Sequence, residues 1–468
     1  MKYICFLLLP LLYTKVIAQP ASRAYTVAVK DSIVARFNRD DFKGIYALAD
    51  TAFTKVISEK QLADFLRSVR NNGNIVSTKL LQDSADGKHY FRCGFELRNM
   101  VMVLKLAANL RFTLFGLYNE PPQLLAVAPR VPSNNPLATP ADKTIDSIAR
   151  DYFRHPAATA LSIGILQQGR YRSYHYGATV KNNGVLPNDS TLYEIGSITK
   201  TFTATLLAQA VLDRKLSLDD DIRRYLHGQY PNLAYKEQPI RVRDLANHTS
   251  RLPSIPANFE QQTPFIPLKP YQHYTNTLFT EALHRFSPDT LPGYKFEYSN
   301  MGMALLGHIL ENVYGQPYEQ LLEQYITRPL QMFNTGTTWR PEQFNNRALP
   351  YSENGQPVAF SSLGIFISAG AIHSSLQDLF RYAQCQLANC TPAVQLTHQP
   401  TVHSMGLGWG VLQHANYSQL EHNGSTEGFR SNMTLYPELH SGCIVLANSK
   451  ASLDNVVIAV KKLLTENK

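Results

Sequence analysis

Apolar positions near the start of the chain recur with helical spacing and then switch to alternation. In AVKDSIVARFNRDDFKGIYALAD and SEKQLADFLRSVR, the Val, Ile, Leu and Phe residues fall on one side of a 3.6-residue turn, which predicts helices. From 74 to 118 apolar and polar positions alternate, with breaks at Asp86-Gly87, Arg98-Asn99 and Ala108-Asn109, which predicts a run of strands. The first part of the chain thus reads as a small α+β module, helices first.

The stretch NEPPQLLAVAPRVPSNNPLATPADK is rich in proline and has no periodicity, so residues 119–143 read as a linker. Beyond it, TIDSIARDYFRHP has helical spacing, and ALSIGILQQGRYRSYHYGAT reads as two strands turning at Gln168-Gly169. After Ser197 the pattern is mostly helical to about Tyr325. Strand character returns in GLGWGVLQ, SQLEHNGSTEG, RSNMTLYPE and SGCIVLANS, before SLDNVVIAVKKLL closes as a helix. Strands at both ends of a domain, with helices between them, require a sheet assembled from distant segments.

Totals refine this picture. A chain of 468 residues exceeds one ordinary core, which favours two domains. At the amino terminus, MKYICFLLLPLLYTKVIAQPAS joins an early lysine to a short apolar run and small residues near Ala18. That pattern predicts a secretory signal, residues 1–18, and a periplasmic or secreted protein. The apolar run is too short for a permanent membrane span. The formal charge of +9 is spread singly or in pairs, as in Arg223-Arg224 and Lys461-Lys462, so no basic stripe supports nucleic-acid binding. The mature chain would keep Cys93, Cys385, Cys390 and Cys443. Four buried thiols are the simpler expectation, although QCQLANC would allow a small disulfide. No CxxC or HExxH spacing occurs, and neither metal nor cofactor is expected.

Three short pieces carry chemistry. Ser197-Ile198-Thr199-Lys200 is the single Ser-x-x-Lys in the chain. At a helix start, residues three apart share a face, so the hydroxyl can meet the amine. A lysine kept neutral by desolvation can take the serine proton. Tyr298-Ser299-Asn300 lies between a Pro-Gly turn and an amphipathic helix, a place from which side chains reach a cleft. A phenol beside a lysine ammonium is pushed toward phenolate and can act as base, and Asn300 can meet a substrate carbonyl and Lys200. In Glu421-His422-Asn423-Gly424-Ser425, the glycine marks a strand edge open to close backbone approach. His422 there could bond Tyr298 or a substrate carboxylate. Each piece alone also fits a structural role: a cap, a packed ring, a strand-end histidine.

The order of these pieces resembles the serine β-lactamase and penicillin-binding protein superfamily, in the class C-like branch that includes D,D-carboxypeptidases and esterases. The resemblance runs from about Lys143 to Lys468, through YEIGSITKTFTA, IRVRDLANHTSRLP, PGYKFEYSNMGMALLGHILE, AGAIHSSLQDLFRYA, HNGSTEGF and IVLANS. It implies an antiparallel sheet flanked by helices with a helical lobe, in a domain covering 144–468. The small module, 19–118, resembles the cone of nuclear-transport-factor-like domains. By the resemblance, Ser197 is the acylated nucleophile, Lys200 its activator and Tyr298 the proton-transferring base. Asn300 contacts substrate and lysine. His422, Asn423 and Gly424 stand where the lactamases carry Lys-Thr-Gly, and the backbone N–H groups of Ser197 and Ser425 form the oxyanion hole.

Two positions depart from the pattern. His422 replaces a lysine suited to a substrate carboxylate, which points away from efficient β-lactam hydrolysis. Arg251 stands where HTSGLP-like blocks have glycine. The implied activity is a serine hydrolase working through an acyl-enzyme on a small-molecule or peptide amide or ester, peptidoglycan-derived peptides included. The competing expectation is a penicillin-binding or sensing protein that acylates with little turnover. An α/β-hydrolase is excluded because Gly-x-Ser-x-Gly does not occur.

Overall fold

The computed structural model describes residues 23–465 apart from 85, 120–124, 126, 183 and 267–268. The expected signal segment, 1–18, lies outside the described residues. The chain forms two compact units, Met1–Pro121 and Pro122–Lys468.

In the first unit, α1 (Arg23–Phe37) and α2 (Glu59–Arg70) precede a four-stranded antiparallel sheet. Its strands are β1 (Ile75–Asp83), β2 (His89–Phe95), β3 (Asn99–Leu106) and β4 (Phe112–Asn119), paired in sequence order. A capping box starts α2: Ser58 Oγ accepts from Gln61 N at 3.2 Å, and Gln61 Oε1 accepts from Ser58 N at 2.9 Å. Leu62, Leu66 and Val69 then recur on the buried face of α2 and join the core that includes Phe37, Phe95 and Met102.

The second unit is built on a six-stranded sheet. Beyond α3 (Pro140–Tyr152) come β5 (Ala160–Gln167) and β6 (Arg170–Gly177). The remaining strands are β7 (Gly410–Gln413), β8 (Ser418–Ser425), β9 (Arg430–Tyr436) and β10 (Ser441–Ala447). They lie in the order β7-β8-β9-β10-β5-β6, every neighbour antiparallel, so strands from the two ends of the domain meet at β10 and β5. One face packs on α3 and the closing helix α7 (Asp454–Thr465) through Ile145, Tyr176, Val445 and Val460. The other face carries the helical lobe: α4 (Thr199–Leu212), α5 (Asn300–Tyr314) and α6 (Leu376–Leu387). This mixed arrangement, an antiparallel sheet between helices with a helical lobe, is the fold class the sequence predicts.

Three details differ from expectation. α3 begins at Pro140 rather than after Lys143, because Thr139 and Asp142 cap it reciprocally, at 3.1 Å and 2.9 Å. Between 213 and 275 the described residues form turns, two short 3-10 helices (Ile222–Tyr225 and Phe259–Gln261), a two-residue strand pair and one five-residue α-helix, Val242–Ala246, instead of long helices. Pro231, Pro239, Pro253 and Pro256 interrupt helical bonding there. Cys385, in the last turn of α6, and Cys390, just beyond it, are joined in a disulfide, while Cys93 and Cys443 are free, buried thiols.

The proline-rich stretch has ordered structure in its later part. Asn134 N donates to His175 O at 3.2 Å, and Gly177 N donates to Pro132 O at 2.9 Å, so this stretch is laid along β6 at the sheet margin.

Candidate active site

Ser197 stands in a one-turn 3-10 helix, Gly196–Ile198, that runs directly into α4. Nearly every side chain of α4 is buried, so the segment carries no polar stripe, and Lys200 is wholly buried within its first turn. Lys200 Nζ lies 3.0 Å from Ser197 Oγ and 2.6 Å from the carbonyl oxygen of Ala369. From the other side, the Tyr298 hydroxyl reaches Ser197 Oγ at 2.7 Å. The Tyr298 ring centroid is 4.8 Å from the lysine nitrogen. Hydroxyl, amine and phenol are thus within direct hydrogen-bonding range of one oxygen.

Electrostatics sets the protonation of this trio. Burial lowers the Lys200 pKa to about 7, so near neutral pH much of it is an amine with a usable lone pair. Burial pushes the Tyr298 phenol above its ordinary value, with the charge of Tyr271 adding to the shift and the Ser197 hydrogen bond opposing it. The phenolate expected from a neighbouring ammonium is therefore not favoured: with the lysine neutral, desolvation dominates and the phenol keeps its proton.

Tyr298 and Asn300 flank Ser299, which caps α5 by accepting from Gly302 N at 2.7 Å. The cap is Ser299, which frees Asn300 for the cleft; its Nδ2 donates to Ser254 Oγ at 3.1 Å. Lys200 bonds Ser197 and Ala369, so the anticipated Asn300–Lys200 bond is replaced by one to a main-chain carbonyl.

The third piece lies on β8, which ends at Ser425. His422 and Gly424 are buried, whereas Asn423 and Ser425 are exposed, as alternation along a strand requires. His422 Nδ1 is 2.7 Å from Asn423 O, and its pKa falls to about 4 through burial and then the neighbouring Lys200. It stays a buried, neutral imidazole that bonds the Asn423 carbonyl rather than Tyr298. Gly424 and Gly196 let β8 and the Ser197 turn touch. A β-carbon at Gly424 would stand 2.0 Å from Ile195 O, and one at Gly196, where φ is +52°, would stand 2.6 Å from Ser425 N. The backbone N–H of Ser425 is thereby brought beside the turn that presents Ser197.

Ser197, Asn300 and Ser425 line one cleft of about 140 Å³, whose walls also carry Lys269, Glu427 and Lys450. Lys450 Nζ donates to Ser425 Oγ at 2.8 Å and to Thr426 O at 2.7 Å. Behind the wall, the buried carboxylate of Glu194 accepts from Ser361 N at 2.6 Å and Ser361 Oγ at 2.9 Å, fixing the loop that contributes Phe360.

One site neighbour is a residue that the sequence pieces do not single out. His248 is fully buried, its ring 4.5 Å from that of Tyr298, and its Nδ1 accepts from Ser299 N at 3.2 Å. Burial, then Lys200 and His422, hold its pKa well below the ordinary imidazole value. The signal available was its place in IRVRDLANHTSRLP, one of the blocks that carry the resemblance.

The chain resembles known proteins in sequence and in fold. A family model described as Beta-lactamase matches residues 145–464. A beta-lactamase of Pseudomonas fluorescens is 27% identical over 352 residues, covering 66% of this chain and 94% of that protein. The D-alanyl-D-alanine-carboxypeptidase/endopeptidase AmpH of Escherichia coli (strain K12) is 25% identical over 351 residues, covering 70% of this chain and 89% of its own. Among solved structures, a class C beta-lactamase aligns with TM-score 0.61 at 24% identity, over 70% of this chain and 96% of that one. A beta-lactamase/D-alanine carboxypeptidase from Yersinia pestis, complexed with citrate, aligns with TM-score 0.59 at 24% identity, over 69% and 97%. These structural likenesses establish the shared fold, and the family model covers most of the second unit with its sheet, its helical lobe and its cleft: the chain belongs to the beta-lactamase family.

Proposed function

We propose that the protein is an exported serine hydrolase that forms an acyl-enzyme at Ser197 from an amide or ester substrate. The observation that carries this reading is the buried Lys200 amine, 3.0 Å from Ser197 Oγ with a pKa near 7. A neutral amine there takes the hydroxyl proton as Oγ attacks the substrate carbonyl. The N–H groups of Ser197 and Ser425 receive the developing oxyanion. Tyr298, protonated, delivers its proton to the departing nitrogen or oxygen and regains one from the Lys200 ammonium. Water then attacks the acyl group as the same groups run in reverse, releasing acid and restoring the starting protonation.

Substrate choice follows from charge. His422 is neutral where a lysine would offer a permanent cation to a substrate carboxylate, which argues against efficient β-lactam turnover and favours amides or esters held without that contact. Peptidoglycan-derived peptides are the natural candidates, in keeping with the carboxypeptidase/endopeptidase activity named for the Escherichia coli relative. Export is supported by the amino-terminal pattern and by the Cys385–Cys390 disulfide, which suits an oxidising compartment. No described helix is long and apolar enough to cross a membrane.

The test is intact-mass detection of the acylated protein together with turnover of p-nitrophenyl butyrate. Wild type is expected to show both, and Ser197→Ala neither. A stable fluorescent-penicillin adduct without turnover of any ester or peptide would instead support a binding or sensing role.

A further inference from the structure

Arg251 adopts φ of +68° and His248 φ of +63°, in the left-handed region that favours glycine. Such a backbone is strained for an arginine relative to glycine, so something must hold it. The guanidinium is almost fully buried and sits between two carboxylates. Its Nε is 2.7 Å from Asp289 Oδ1 and its Nη2 3.0 Å from Asp289 Oδ2, a bidentate pair. Its Nη1 is 2.7 Å from Glu297 Oε2.

Asp289 and Glu297 are the two ends of the segment that leads into Tyr298. The backbone of that segment is laid on the Arg251 loop. Gly293 N donates to Thr249 O at 3.0 Å, and Glu297 N donates to His248 O at 2.8 Å. Just past the tyrosine, Ser299 N donates to His248 Nδ1 at 3.2 Å, and Ser299 Oγ donates to Pro253 O at 2.9 Å. The loop therefore touches the chain on both sides of Tyr298, and Arg251 closes the far end of the contact. A pair made only for stability would have no need to end on the residue next to the phenol.

We propose that Arg251 is a positioning residue, which holds the Tyr298 hydroxyl against Ser197 by clamping both ends of segment 289–297. This rests on the assignment of Tyr298 as the proton-delivering group. Glycine at 251 would relax the backbone but release the segment, so the arginine trades local strain for a fixed phenol.

The test is a double-mutant cycle on p-nitrophenyl butyrate with wild type, Arg251→Gly, Tyr298→Phe and the double variant. Arg251→Gly is expected to lower kcat at least about tenfold with KM within about twofold, because misplacement of a reacting group weakens the transition state more than binding. In the Tyr298→Phe background the same change is expected to alter kcat less than about twofold. Arg251→Lys, which can meet one carboxylate but not both as a fork, is expected to restore only part of the rate. The proposal is overturned if Arg251→Gly leaves kcat within about twofold of wild type, or lowers it equally in both backgrounds. A Tyr298→Phe variant with wild-type kcat overturns the proton-delivery assignment itself, and the clamp with it. Should Arg251→Gly fail to fold, Glu297→Gln, which keeps the Asp289 pair, is read by the same cycle.

Discussion

The carbonyl oxygen of Ala369 lies 2.6 Å from the Lys200 amine, and with the Ser197 hydroxyl it provides the polar surroundings of a lysine that has no exposed surface. A carbonyl satisfies one N–H but carries no full charge to hold an ammonium, so desolvation prevails. In the proposed mechanism the active form is the amine, and protonation removes it. Acylation by p-nitrophenyl butyrate should rise with pH along a single-proton limb centred near pH 7. A rate that stays flat from about pH 5 to 9 would end the assignment of Lys200 as base.

Holding that lysine costs stability. Its folded pKa of about 7 lies below the ordinary lysine value of 10.5, so the unfolded chain binds more protons between these values and stability rises with pH across them. Lys200→Met should abolish turnover yet raise unfolding free energy by about 1–3 kcal/mol below pH 7, the stranded Ala369 carbonyl offsetting part of the gain. The gain should shrink as pH climbs toward 10.5. Urea unfolding at pH 6 and pH 9 measures both; equal stability of the two proteins at pH 6 would refute it.

Gly196→Ala tests the meeting of the Ser197 turn with β8. The added methyl would stand 2.6 Å from Ser425 N and 3.0 Å from Ser425 C, in a backbone already at φ +52°. The strand must retreat, taking with it one of the two proposed oxyanion donors. The expected loss in kcat is about 10²–10³-fold. Retention of more than about a tenth of the wild-type rate would place the Ser425 N–H outside the oxyanion site.

His422 should contribute to acid sensitivity. Its folded pKa of about 4 lies below the ordinary 6.5, so the unfolded chain binds the extra proton between these values. Stability is lost as pH falls through that window, by up to about 3 kcal/mol from this residue. His422→Gln should flatten that decline relative to wild type, as read by thermal unfolding from pH 7 to pH 4. Identical slopes would show that the imidazole does not carry it.

Much of the site was legible because its chemistry is local. Ser197 and Lys200 are three apart at a helix start, and the buried helix behind them announces itself as an apolar run. The strand pattern in SQLEHNGS and the glycine within it likewise marked a strand open to close approach, but not that His422 faces inward with Gly424 while Asn423 and Ser425 are exposed. What could not be read was long-range or without side-chain identity. Ala369 acts through a main-chain oxygen, which any residue would offer. His248 and Arg251 matter because a turn folds them onto a segment 38 to 51 residues later. The protonation of Tyr298 reversed because the sequence shows the lysine nearby but not the burial that neutralises it. The helical lobe was overextended where scattered prolines outvoted apolar spacing.

The stretch laid along β6 decides where the hydrolytic unit can be cut. Besides its main-chain bonds to His175 and Gly177, it supplies Asn135, whose Nδ2 lies 2.6 Å from the buried Tyr176 hydroxyl. A recombinant fragment starting at residue 144 would lose this cover along with the cap of α3, leaving an open flank ready to recruit strands from other molecules. One starting near residue 127 keeps its own border sealed, and so should stay dispersed at concentrations where the shorter fragment self-associates.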